Sequence, residues 1–137
     1  MQADFECGIC LELACGAKVL HNSVVSTGPP FSSIERRFAN TNAEIINNLV
    51  SHNLLERNGA TATLSNNSAD AQLSLFVDGA GGDLHLAVGA NLVIEGLPIA
   101  AGMSPDDIDG APRDANPDLG ALVRAKLTNF QRAYLVL

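Results

Sequence analysis

The sequence predicts a single α+β domain spanning residues 1–137, with a mainly antiparallel sheet, a central helical pair and a C-terminal helix. Three observations predict it. Phe5 to Cys15 alternates apolar residues with polar or small ones, the period-two pattern of a half-buried strand. Ser32 and Thr41 each precede a glutamate by three positions, Glu35 and Glu44, as in the capping boxes that open helices. Leu119, Leu122, Val123, Leu127, Phe130 and Tyr134 recur at helical spacing near the C-terminus.

In chain order, the first strand runs from Phe5 to Cys15, with Phe5, Cys7, Ile9, Leu11, Leu13 and Cys15 on one face. Gly16-Ala17 reads as a turn and Lys18 to Val25 as a second strand. The loop from Ser26 to Pro30 leads to a short helix, about Ser33 to Ala39, with Ile34 and Phe38 on one face. A second helix follows from about Asn42 to His52, where Ile45, Ile46, Leu49 and Val50 keep i, i+3, i+4 spacing. Asn58-Gly59 then separates Leu54-Leu55-Glu56-Arg57 from Ala60 to Leu64, which is a hairpin signal because a type I′ turn needs positive φ at both central residues. Ala71 to Val77, Leu84 to Val88 and Leu92 to Glu95 read as an antiparallel meander. One helical turn is expected at Ser104-Pro105-Asp106-Asp107, and Asn116-Pro117 opens the last helix in the same way. No internal repeat is apparent.

The order helix, tight turn, helix, hairpin over Ser32 to Leu64 resembles a winged helix-turn-helix segment, and so does the wording L-V-x-x-x-L-L-E-R-x-G followed by T-L-S. The resemblance covers about a quarter of the chain. It implies a recognition helix from Asn42 to Asn53 and a wing tip from Arg57 to Thr61. Under it Arg36, Arg37, Asn42, Asn47, Asn48 and Arg57 would meet nucleic acid. The would-be recognition helix carries no Lys or Arg, although DNA affinity comes mostly from neutralising phosphates. From Ser32 to Leu64 the charges of Arg36, Arg37 and Arg57 cancel those of Glu35, Glu44 and Glu56.

A formal net charge of -7 opposes general binding to polyanions and to anionic membranes. Much of it sits in Asp106, Asp107, Asp109, Asp114 and Asp118. No apolar run approaches membrane-spanning length. The absence of Trp leaves few anchors for base stacking. Met1 to Glu6 has no basic region or signal core, which predicts a cytoplasmic chain, with a virion as the other compatible location. Three cysteines, an odd number, suggest reduced thiols.

Cys7, Cys10, Cys15 and His21 form a legitimate zinc set by ligand type. On a straight strand, however, Cys7 and Cys15 would stand roughly 26 Å apart. Cys10 with His21, His52 or His85 lacks the surroundings of a cysteine nucleophile. Gly79-Ala80-Gly81-Gly82 follows a strand but precedes no G-K-[ST]. Asp107-Ile108-Asp109-Gly110 matches part of an EF-hand loop whose first and twelfth positions would be Pro105 and Asn116. No catalytic residue, cofactor or metal site is therefore assigned.

The leading expectation is a non-enzymatic assembly or interaction protein that associates with itself as a homo-oligomer. A small viral structural or accessory protein suits that description. The apolar terminus Tyr134, Leu135, Val136 and Leu137 is its expected interface. The alternatives are a winged-helix DNA-binding protein and a small-ligand-binding or enzymatic α+β fold.

Overall fold

The computed structural model describes residues 6–28, 32–87 and 96–122. Within them the chain winds as a three-sided parallel β-solenoid. The first coil carries β1 (Cys7–Glu12), β2 (Cys15–Leu20) and β3 (Ser23–Val24). The second carries β4 (Ser32–Arg37), β5 (Asn42–Ile46) and β6 (Leu49–Val50). The third carries β7 (Leu54–Arg57) and β8 (Thr61–Ser65), and its third side is marked by a parallel bridge from Ser68 to Leu49. Like sides stack into three parallel sheets, in the orders β1-β4-β7, β2-β5-β8 and β3-β6. An antiparallel hairpin follows, β9 (Phe76–Asp78) with β10 (Asp83–Leu86), after a 3-10 turn at Leu73–Leu75.

The α+β expectation is thus corrected. The helical pair is three strands: Ser32–Arg37 is extended in place of the first expected helix, and Asn42–Ile46 and Leu49–Val50 in place of the second. The sheet is mainly parallel, not antiparallel. Among the described residues the only helical stretch is the 3-10 turn. Ser104 takes a positive φ of 55° and Asp106 bridges Pro112, so no helical turn forms there. The described start of the expected C-terminal helix, residues 116–122, is irregular, and residues 123–137 lie outside the described residues, as does the expected strand Leu92 to Glu95.

The internal repeat that the sequence did not show is set by corners. The first corner is made by Leu13, Phe38 and Asn58, with φ of 53°, 70° and 55°. The second is made by His21, Asn47 and Asn66, with φ of 53°, 59° and 50°. Each left-handed residue turns the chain from one side of the prism to the next, a task that suits Asn and strains Leu and Phe. Asn58-Gly59 forms the expected tight turn, closed by Ala60 N–H donating to Arg57 C=O at 3.3 Å. It joins β7 and β8 of different sheets, so no hairpin results.

Two apolar cores follow from this winding. Val19, Ile34, Ala43, Ile45 and Val50 fill the inside of the solenoid, flanked by Ile9, Leu11, Ala17, Val24, Leu54 and Ala62. Leu49, Ala71, Phe76, Leu86 and Leu119 form a second core outside the third side, where the hairpin and the 96–122 segment pack. The helical spacing of Ile45, Ile46, Leu49 and Val50 arises because Ile45 and Val50 point inward while Leu49 joins the outer core. Ile46 lines an outer groove with Leu20, Leu97 and Pro98.

Candidate functional site

The end of the solenoid at the third coil is the feature with most chemical consequence. β7 and β8 are end strands, and among the described residues each pairs on one side only. In a parallel sheet, the N–H and C=O of one residue point to the same neighbour and alternate along the strand. Thr61 N–H donates to Thr41 C=O and Ser65 C=O accepts from Asn47 N–H, so Thr61, Thr63 and Ser65 bond inward to β5. Ala62 and Leu64 therefore turn their N–H and C=O groups to the free edge. The β5–β8 register runs without a shift, whereas β2 carries a bulge between Cys15 and Ala17.

The inner apolar column is also open there. Val19, Ile45 and Leu64 occupy equivalent positions in three coils. Val19 is 6% exposed and Ile45 0%, but Leu64 is 46% exposed. The core thus ends on solvent at its last described layer, on a strand, Thr61-Ala62-Thr63-Leu64-Ser65, that has no charge, no proline and no bulge to blunt its edge.

The second corner holds the coils in register. Asn22, Asn48 and Asn67 form a ladder. Asn22 N–H and Nδ2 donate to Asn48 Oδ1 at 2.9 and 3.0 Å, and Asn48 N–H and Nδ2 donate to Asn67 Oδ1 at 2.9 and 2.8 Å. Asn48 Nδ2 also reaches Val19 C=O, and Asn67 Nδ2 reaches Ile45 C=O. Beside it Asn47 clamps the 96–122 segment: its Nδ2 donates to Leu97 C=O at 2.6 Å and its Oδ1 accepts from Leu97 N–H at 2.8 Å. His21 is buried against the same clamp, with Nδ1 at 3.0 Å from Asp118 C=O and Nε2 at 3.1 Å from Asn47 Nδ2. A carbonyl only accepts and an amide nitrogen only donates, so both contacts fit the neutral Nδ1–H tautomer. Burial lowers the His21 pKa, nearby Arg113 lowers it further, and the Asp118 carbonyl opposes them.

The first corner carries charge. Arg37 pairs with Glu12 at 3.0 Å and with buried Glu35 at 3.5 Å, and Arg57 pairs with Glu35 at 3.1 Å. Arg37 also lies over the Phe38 ring at 5.1 Å. On the outer face of β2 and β5, Lys18 meets Glu44 at 2.7 Å. At the hairpin, exposed His85 bridges Asp83 at 2.5 Å and Asp109 at 2.7 Å. These bonds, that to Asp83 first, raise the His85 pKa.

The residues named for nucleic acid are dispersed. Arg37 and Arg57 are in register on the first sheet, beside Arg36, among three glutamates. Asn42 is exposed on β5, where its Oδ1 accepts from Gly16 N–H at 2.7 Å. Asn47 and Asn48 are fully buried at the second corner with their amides committed as above. Asn42 to Asn53, expected as a recognition helix, holds β5 and β6. Tyr134 to Leu137 lie outside the described residues. The zinc set is not assembled: Cys7 and Cys10 form a disulfide, contrary to the reduced thiols expected, with their Cα atoms 5.8 Å apart. Cys15 is free and exposed on β2, and His21 is engaged at the other corner.

Sequence reasoning missed the ladder and the open column. The signal was present as three aligned runs, Val19-Leu20-His21-Asn22, Ile45-Ile46-Asn47-Asn48 and Leu64-Ser65-Asn66-Asn67, whose unequal spacing hides them from a search at fixed period. Compared with family models, curated proteins and solved structures, the chain has no match.

Proposed function

We propose that this chain is a non-enzymatic assembly protein that associates with other copies of itself through the open end of its solenoid. The observation that carries this reading is Leu64, which continues a column buried in the two preceding coils and is itself 46% exposed. Solenoid proteins bury each repeat against its neighbours and need a polar cap where the stack ends. An apolar layer that no described residue caps, beside a regular strand edge, is a template for further pairing. The corner ladder and the clamp on Leu97 supply the rigid frame such a surface needs, since an edge that frays pairs poorly.

Static light scattering across a concentration series tests the reading. The expected result is a molar mass that rises above that of one chain as concentration increases. A single-chain mass at every concentration overturns it.

A further inference from the structure

Resting on the assembly reading, we propose that the copies stack head to tail, with β7 and β8 of one chain pairing in parallel with β1 and β2 of the next, so that the three-sided sheets run on across the junction. The occupant of the open end is therefore the first coil of a second copy of this chain.

The columns of the sheets select that occupant. Each position of the second sheet repeats the character of its neighbours: Ala17, Ala43 and Ala62 form one column and Val19, Ile45 and Leu64 the next. Continuing the register sets Ala62 beside Ala17 of the next copy, which is half-buried in its own chain, and brings Leu64 into line with its Val19. On the first sheet the column Ile9, Ile34, Leu54 continues with Ile9 of the next copy. The end column reads Glu12, Arg37, Arg57, and Arg37 pairs with Glu12 at 3.0 Å. A following Glu12 would stand next to Arg57, so the junction repeats an ion pair of the same types. The asparagine ladder also has a direction, from Asn22 through Asn48 to Asn67, and another Asn22 would extend it. An isologous contact of β8 with its own copy would align none of these columns, and it would close as a dimer. A heterologous contact stays open and grows.

The edge groups point to specific blocks. Ala62 directs its N–H outward from β8, so Ala62→Pro removes an edge donor without touching the bonds to β5. His21 N–H donates to Ile46 C=O, which by the same alternation turns Lys18 N–H outward from β2. Lys18→Pro thus blocks the opposite end at the loss of one exposed ion pair.

The experiment mixes the two variants, each first shown by circular dichroism and melting to keep the fold. Each alone is expected to be a single chain by light scattering, and an equimolar mixture is expected to give a species of two chains. A second variant works even where proline is not tolerated. Cys15, Asn42 and Thr61 share a column, so Thr61→Cys sets a thiol beside Cys15 of the next copy at about the 4.8 Å separation of paired strands, within the roughly 4.4–6.8 Å that disulfides span. Diamide, which takes up the two electrons and two protons released, is expected to join position 61 to Cys15 between chains, identified by peptide mapping. Linkage of position 61 to position 61 overturns the head-to-tail arrangement. So does a mixture that stays single-chain, or Lys18→Pro protein that associates as wild type does. In these cases self-association of the wild type still stands, whereas a wild-type chain that never associates removes both readings.

Discussion

Asn48 receives both the backbone and the side-chain N–H of Asn22 on a single oxygen, Oδ1, and passes its own two donors to Asn67. This relationship ties three coils together at one buried corner. Replacing Asn48 by Ala removes the acceptor of both Asn22 donors, which are partly buried, and leaves the buried carbonyl of Val19 without its Asn48 donor. Each lost partner costs about 1–3 kcal/mol. Chemical denaturation is expected to show a loss of at least about 3 kcal/mol for Asn48→Ala. Asn42→Ala, at an exposed amide that caps Gly16 N–H, is expected to lose about 1 kcal/mol. Equal losses at the two sites would mean that the ladder does not hold the corner.

The neutral state of His21 makes stability depend on pH. Its folded pKa lies below the ordinary 6.5, so the unfolded chain binds the proton more readily. Stability is complete above about pH 6.5 and falls as the pH drops from there toward the folded value. Protonation would set an N–H of the ring against the amide donor of Asn47. Melting temperature measured from pH 7.5 to 5 is expected to fall in wild type and to fall less in His21→Gln. A flat wild-type profile would remove the clamp's dependence on neutral His21.

Leu13 holds φ at 53° and is 66% exposed, so it bears backbone strain with little burial to offset it. Asn58 performs the same turn in the third coil with a residue type that tolerates it. Leu13→Asn is expected to stabilise the chain by about 0.5–1 kcal/mol in a denaturation series. A loss of stability would show that the leucine side chain contributes more than its exposure allows.

The His85 bridge works in the opposite pH direction from His21. Its pKa is raised by Asp83 and then by Asp109, so the doubly bonded imidazolium persists below the ordinary value and is lost as the pH climbs through the raised one. The site is exposed, and its effect is local. A nuclear magnetic resonance titration is expected to place the His85 midpoint above 6.5, moving down in Asp109→Asn. An unchanged midpoint in that variant would show that Asp109 does not hold the ring.

Local rules in the sequence were sound more often than the architecture drawn from them. The alternation from Phe5 to Cys15 is extended chain over Cys7–Glu12 but bends at Leu13 into the next side of a prism, and the turn expected at Gly16-Ala17 lies inside β2. The turn at Asn58-Gly59 forms with the expected positive φ angles, yet it redirects the strand to another sheet. The pattern Ile45, Ile46, Leu49, Val50 satisfies a helix and, equally, two short strands around an Asn-Asn corner with apolar surfaces on both sides. Only partners some twenty residues away decide between them, and that information is not local. The open column was illegible for the same reason: Leu64 is an ordinary apolar residue until Val19 and Ile45 are known to lie beneath it.

Because β4 pairs with both β1 and β7, which do not pair with each other, each coil's sheet bonds run only to its neighbours. Such a stack comes apart as a zipper does, from an unguarded end toward the middle. Amide hydrogens that bond across the second and third coils, those of Thr61, Ser68, Asn47 and Val50, should exchange first, and those that bond across the first and second, His21, Asn42 and Leu49, later, which sets up a gradient of lifetimes along the axis. Adding a coil at the open end would lengthen those lifetimes before it changed any bond already present. The protein's persistence in time thus becomes a property of how many rungs stand above a given residue.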